Sequence, residues 1–202
     1  MIVSEIFRSL QGEGKSQGRP CTFIRLTGCN LRCAWCDTSY AREGGEEMSI
    51  TEVLDRVWLQ NGRQICITGG EPLLQQEGVL ELLKKFSLHG YTVEIETNGT
   101  RDFREMQPYA TICMDVKCPS SGERSDLTLL PFISQRDCVK FVVADEDDLL
   151  YARAVMTRYD IRGEIFVSPV EGSDCRAIAD YIVEENLPVR FQLQLHKILG
   201  VK

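Results

Sequence analysis

Residues 28–38 read Gly28-Cys29-Asn30-Leu31-Arg32-Cys33-Ala34-Trp35-Cys36-Asp37-Thr38 and place three cysteines at C-x3-C-x2-C, directly after an apolar run. Thiolates this close in sequence can share one metal centre, and three of them leave one coordination position without a protein ligand. In a 4Fe–4S cube that position is an iron open to a small molecule, and the spacing favours this reading. Two others stay open. Cys33-Ala34-Trp35-Cys36 alone is also half a zinc site or a redox dithiol. A structural zinc site needs four ligands and a second pair downstream, whereas the histidines of the chain are only His89 and His196. A dithiol leaves Cys29 without a role.

The spacing, with aromatic Trp35 ahead of the last cysteine and Gly69-Gly70-Glu71-Pro72 further on, resembles the signature of radical S-adenosylmethionine (SAM) enzymes. The resemblance implies that Cys29, Cys33 and Cys36 hold the cluster and that its open iron takes the amino and carboxylate groups of SAM. It assigns Gly70 and Glu71 to the methionine ammonium. Trp35, Cys36 and Asp37 would lie against the adenine, and Asp115, Val116 and Lys117 would reach the ribose and carboxylate. Taken alone, Gly-Gly-x-Pro is also a tight strand-to-helix turn, and Asp115 with Lys117 is also a surface ion pair.

Composition narrows the classes. At 202 residues, 43% hydrophobic and 26% charged, the chain reads as one domain, 1–202, large enough for its own core. A net charge of −7 argues against a nonspecific nucleic-acid surface. No apolar run approaches the ~20 residues that cross a bilayer. Met1-Ile2-Val3-Ser4-Glu5 lacks the basic start and apolar stretch of a secretory signal, which predicts a cytoplasmic protein. Nine cysteines are then a reduced set rather than a disulfide framework. Cys21, Cys66, Cys113 and Cys138 lie in apolar runs and read as small buried hydrophobes; Cys118 and Cys175 read as unused loop thiols.

Outward from residues 28–38, strand and helix patterns alternate. Residues 2–8 and 21–27 read as strands, with Arg25 aimed at the mouth where the cysteines lie. Residues 42–48 read as a surface excursion. Ser49 with Glu52 forms a capping signal for a helix to about Asn61, closed by Gly62. Residues 64–68 make a buried strand, and Pro72 starts a helix whose apolar face carries Val79, Leu82, Leu83 and Phe86 and which stops at Gly90. Strands follow at 91–97, 110–116, 138–143, 164–168 and 189–195, with helices opening at Asp145 and spanning about 174–185. This alternation predicts an α/β fold, a partial, open (β/α) barrel of about six mostly parallel strands. The cysteines, Thr68–Pro72, Thr97–Thr100 and Asp115–Ser120 would all follow the carboxyl ends of strands and share one pocket.

A narrower resemblance rests on Leu10-Gln11-Gly12-Glu13-Gly14, Cys36-Asp37-Thr38, Lys117-Cys118-Pro119-Ser120-Ser121-Gly122 and Gln194-Leu195-His196-Lys197. Together these are similar to the 7-carboxy-7-deazaguanine synthase family, from residue 4 onward but not over 40–48 or 123–137. That family converts 6-carboxy-5,6,7,8-tetrahydropterin to 7-carboxy-7-deazaguanine with loss of ammonia, on the route to queuosine and related deazapurines. The resemblance implies Mg²⁺ with Thr38 as its hydroxyl ligand. It assigns the pterin to Leu10, Gln11 and Gly12, the substrate carboxylate to Arg25 and a polar ring edge to Thr68. The carboxylate of Lys202 is expected to close the pocket, and His196 to be structural. A homodimer and an electron donor, flavodoxin or ferredoxin, complete what the family implies. The competing readings are a glycyl-radical activating enzyme, which shares the cysteine spacing but acts on a protein loop, and a zinc scaffold without catalysis.

Overall fold

The structure, a computed structural model, describes residues 1–202. Nine strands form a single sheet in the order β3-β1-β2-β4-β5-β6-β7-β8-β9. They are β1 (Ile2–Leu10), β2 (Pro20–Leu26), β3 (Glu46–Glu47), β4 (Gln64–Gly69), β5 (Thr92–Thr97), β6 (Thr111–Val116), β7 (Cys138–Val143), β8 (Glu164–Pro169) and β9 (Arg190–Phe191). From β2 to β9 every neighbouring pair is parallel. Strand β1 runs antiparallel to β2, and β3 antiparallel to β1. The sheet is the unclosed barrel the alternation calls for, with six substantial parallel strands, β2 and β4 to β8, and shorter edges.

Period-2 alternation sorts the strand residues. Ile65, Ile67, Val93, Ile95, Ile112, Met114, Val139 and Phe141 face outward into the main core. There they meet Val53, Leu54 and Val57 of α1 (Ile50–Leu59) and Val79, Leu82, Leu83 and Phe86 of α2 (Gln76–Leu88). The alternate residues Arg25, Cys66, Thr68, Glu96, Asp115 and Lys140 line the inside. Helix starts follow the expected chemistry. Ser49 and Glu52 close a reciprocal capping box on α1, each satisfying a backbone N–H that the helix start leaves free. Asp145 caps α3 (Glu146–Arg158), and Asp174 caps α4 (Cys175–Glu184).

Several expectations are corrected. The left-handed residue after α1 is Asn61, at φ 53°, not Gly62. The segment 42–48 is not a free excursion: Glu46–Glu47 pairs with β1, and Met48 is buried. No α-helix joins β5 to β6 or β6 to β7; 3-10 turns at Pro119–Ser121 and Leu127–Phe132 serve the second crossover. The strand expected at 189–195 shrinks to Arg190–Phe191, and a short helix α5 (Leu195–Leu199) follows. Cys118 lies in the loop after β6, as its sequence suggests, and is fully buried there.

Candidate active site

The loop 28–38 has almost no regular structure of its own, so its shape comes from its neighbours. The Ala34 N–H donates to Ser121 O at 2.9 Å and the Arg32 N–H to Glu123 Oε1 at 2.6 Å. Asn98 Nδ2 donates to Asn30 Oδ1 at 3.2 Å, and Asn30 Nδ2 to Thr100 Oγ1 at 2.9 Å. The loop is thus docked on the segments that leave β5 and β6. Cys29, Cys33 and Cys36 are free, half-exposed thiols on one cavity of about 880 Å³. Burial pushes the Cys33 thiol up, the Lys117 ammonium opposes it, and Asp115 and the other two cysteines add to the rise.

These residues fit an iron–sulfur cluster better than a single ion. No three His, Cys, Asp or Glu side chains are gathered as a single-ion site. A cluster spreads its thiolates over separate irons, and three soft donors with no fourth leave one iron open. Asn98 Nδ2 lies 4.0 Å from Cys29 Sγ, the kind of donor that tunes a cluster's potential.

The end of β4 forms the adjoining wall. Gly70 N donates to Leu26 O at 3.2 Å and Glu71 N to Gly28 O at 2.7 Å. A Cβ on Gly70 would fall 2.2 Å from Gly28 O, so only glycine lets these two backbones meet. Gly69 and Gly70 line the cavity; Glu71 does not. Its carboxylate is fully buried behind the wall, accepting from Leu73 N (2.9 Å), Thr97 Oγ1 (2.9 Å) and Asn98 N (2.7 Å). Val116 is likewise buried in the core.

Trp35 donates through Nε1 to Ser120 Oγ at 3.0 Å, and Lys117 Nζ stands 5.2 Å from its ring centre. Lys117 also pairs with Asp115 at 2.9 Å. Thr38 precedes the 3-10 turn Ser39–Arg42, yet its hydroxyl makes no capping hydrogen bond. It lies on the cavity, 3.9 Å from Cys36 Sγ. Such a hydroxyl is the hard oxygen donor that Mg²⁺ accepts.

Across the cavity, Arg25 Nε donates to Glu5 Oε1 at 2.8 Å, and its guanidinium lies between the Phe7 and Tyr40 rings at 5.7 and 5.8 Å. The terminal nitrogens of Arg25 make no hydrogen bond to protein, so half of its fork is free. Leu10, Gln11, Gly12, Thr68 and Lys202 share the same lining. Lys202 Nζ pairs with Glu5 and lies over the Phe7 ring at 4.8 Å.

Four residues given no substrate role in the sequence reading also belong here: Glu13, Glu96, Lys140 and His196. Lys140 Nζ pairs with Glu13 and lies 3.7 Å from both Glu96 Oε2 and Asp115 Oδ2. The signal was present in the sequence, because Lys140 is the one charge in the apolar strand Cys138–Val143. His196 lies 3.8 Å from Asp37 and 4.0 Å from Glu13.

The profile of the Radical SAM superfamily matches residues 23–117. A 7-carboxy-7-deazaguanine synthase of Methanospirillum hungatei is 51% identical over 201 residues, covering 100% of this chain and 86% of the relative. Its counterpart in Thermoplasma acidophilum is 39% identical over 203 residues, covering 98% and 97%. The crystal structure of QueE from Escherichia coli shares the fold at a TM-score of 0.75 and 24% identity, over 96% of this chain and 93% of that one. Identity of this extent along the whole chain, on a scaffold that brings the three thiols and the Gly-Gly wall to one cavity, places the protein in the 7-carboxy-7-deazaguanine synthase family of radical SAM enzymes.

Proposed function

We propose that the protein, acting as a single domain over residues 1–202, converts 6-carboxy-5,6,7,8-tetrahydropterin to 7-carboxy-7-deazaguanine with release of ammonia. The observation that carries this reading is the meeting of Cys29, Cys33 and Cys36 with Gln11, Arg25 and Thr68 on one cavity. A glycyl-radical activating enzyme has to admit a protein loop; a recessed cavity of about 880 Å³ with mixed polar and apolar walls suits a small molecule instead.

In this reading Cys29, Cys33 and Cys36 hold a 4Fe–4S cluster. The chemistry supplied there is one-electron cleavage of SAM, which furnishes the hydrogen-abstracting radical. The residues of the chain bind and orient. Backbone groups at Gly70 meet the methionine portion of SAM, while Glu71 braces that turn from behind. Trp35, Cys36 and Asp37 flank the adenine. Asp115 and Lys117, already paired, take the ribose and carboxylate, with Val116 fixing the strand between them. The free edge of Arg25 takes the substrate carboxylate with two parallel hydrogen bonds. Leu10, Gln11 and Gly12 offer amide edges to the pterin, Thr68 a hydroxyl, and Lys202 closes the pocket. Thr38 supplies the protein oxygen for a Mg²⁺ that keeps most of its waters. Holding the reacting groups together and excluding water is the protein's share of the catalysis. A homodimer, a flavodoxin or ferredoxin as electron donor, and a cytoplasmic location belong to the same proposal.

Anaerobic incubation with the carboxypterin, SAM and a reductant, with and without Mg²⁺, tests it. The expected result is the deazaguanine acid and ammonia in equal amounts, faster with Mg²⁺, and a Thr38→Val variant that has lost the metal's effect. Consumption of SAM without any pterin-derived product would overturn the assignment.

A further inference from the structure

We propose that Glu96 is a proton carrier built into the cavity, and that Lys140 makes it so by committing its own charge to Glu13. Three carboxyl groups, Glu13, Glu96 and Asp115, face two ammonium groups, Lys140 and Lys117. Lys140 is in direct contact with Glu13, and Lys117 pairs with Asp115 at 2.9 Å. Glu96 has no cation of its own: Lys140 stands 3.7 Å away, and besides the neighbouring Cys113 thiol it is met by Gln11 Nε2, 3.5 Å from Oε1. Its Oε2 is sealed from water and has no hydrogen-bond partner. A buried carboxylate oxygen in that state is costly, and one proton removes the cost.

The other groups around Glu96 do not change the count. Cys113 on β6 and Cys66 on β4 are thiols that burial and their neighbours push far up, and burial pushes Cys21 on β2 to about 12, so all three stay neutral. Glu94, below it on β5, accepts from Ser16 Oγ at 2.9 Å; its other oxygen is buried without a partner, burial raises it as well, and its charge adds to the rise at Glu96. His196 and Lys197 are engaged by Asp37. Burial and the Glu13 charge drive Glu96 up to about 7 against the pull of Lys140. Burial works on Glu13 too, but the Lys140 contact overrides it and holds that carboxyl low.

The use of such a group follows from the lyase reading, on which this step rests. The nitrogen that leaves enters as a ring N–H and departs as ammonia, so it gains two hydrogens. The ring carbons give up the same two. In the elimination the carbon–nitrogen bond breaks with its electron pair on nitrogen, and Glu96 donates the proton that completes ammonia. The neighbouring ring carbon gives a proton back to Glu96 as the ring double bond forms. The other hydrogen moves in the preceding ring contraction, so no outside reagent is needed. A carboxyl that titrates near the working pH suits both directions.

Infrared titration of the anaerobic holoenzyme, without substrate, reads the proton directly. A carboxylic-acid C=O band is expected to disappear with a midpoint near neutrality. It should be absent in Glu96→Gln and kept in both Glu94→Gln and Lys140→Arg. In turnover, Glu96→Gln is expected to lower kcat by about 100-fold or more and to abolish the limb of the pH profile near neutrality. A band that survives Glu96→Gln, or a midpoint in the ordinary carboxylate range, overturns the charge assignment. A correct band with unchanged kcat overturns the carrier role. Because the band needs no pterin, a wrong substrate assignment leaves the infrared result standing.

Discussion

Asp37 ties the last turn of the cysteine loop to the end of the chain. His196, 3.8 Å away, and then the Lys197 ammonium at 3.3 Å hold its carboxyl well below the usual carboxylate range against burial. A depressed carboxyl contributes its stability above the unfolded value of about 3.9 and loses it as pH falls through the folded one. Limited proteolysis is therefore expected to leave residues 194–202 intact at neutral pH and to cut them in strong acid. Asp37→Asn should expose the same cut at neutral pH. Equal protection in wild type and variant would break the link between Asp37 and this segment. For the thiols, Cys33→Ser swaps one soft donor for a hard one. The purified variant is expected to lose most of its bound iron and visible absorbance, while a melting curve of the apoprotein moves little, since Cys33 is half-exposed. The cysteine trio was legible because three thiols inside eight residues constrain one another locally. Lys140 stood out as the one charge in an apolar strand, but its meeting with Glu13 and Glu96 was not legible, since nothing near any one of them in the chain announces the others.

At the level of elements, Glu71 acts as a clasp between β4 and β5. Its carboxylate satisfies two backbone N–H groups and the Thr97 hydroxyl where water does not reach. Each buried donor left without an acceptor costs about 1–3 kcal/mol. Glu71→Ala is therefore expected to lower the unfolding free energy by about 3 kcal/mol or more, and Glu71→Gln, which keeps one oxygen, by less. Urea denaturation of the apoprotein checks this; a Glu71→Ala variant as stable as wild type would show that the clasp is idle. Helix starts were readable because a cap involves residues three apart, as at Ser49 and Glu52. The helix-free crossovers after β5 and β6 were not, since both contain apolar residues that turns can bury as well as a helix. Val189-Arg190-Phe191-Gln192-Leu193 alternates like a strand. Only two of its residues pair with β8, because β9 is the edge and has no further neighbour to extend along.

For the whole molecule, the decisive feature is how the open side of the sheet is covered. Strands β1 and β9 do not pair. Instead, the end of the chain bonds to the loop between β1 and β2. Gln192 exchanges hydrogen bonds with the Gly14 backbone at 2.7 and 3.0 Å, Leu195 N donates to Gly12 O at 3.1 Å, and Gln17 Nε2 donates to Leu193 O at 2.6 Å. Val201 and Lys202 line the cavity, and Lys202 reaches Glu5, the partner of Arg25. Removing Val201 and Lys202 is expected to raise KM for the carboxypterin with little change in kcat, the pattern for lost uniform binding. Steady-state kinetics with SAM saturating reads it; an unchanged KM would remove these two residues from the substrate site.

The sequence by itself determined the cysteine spacing, the Gly-Gly turn, the helix caps and the alternation that makes a mostly parallel sheet. All of these are set by residues within one turn or a few positions of each other, where backbone geometry leaves few choices. Only the tertiary structure decided that Glu71 braces the wall instead of lining it, and that the chain's last segment roofs the open side. It alone set Lys140 against Glu13, 127 positions away. Contacts of that kind depend on strand order and on which faces are left to pair, and no local pattern carries that information.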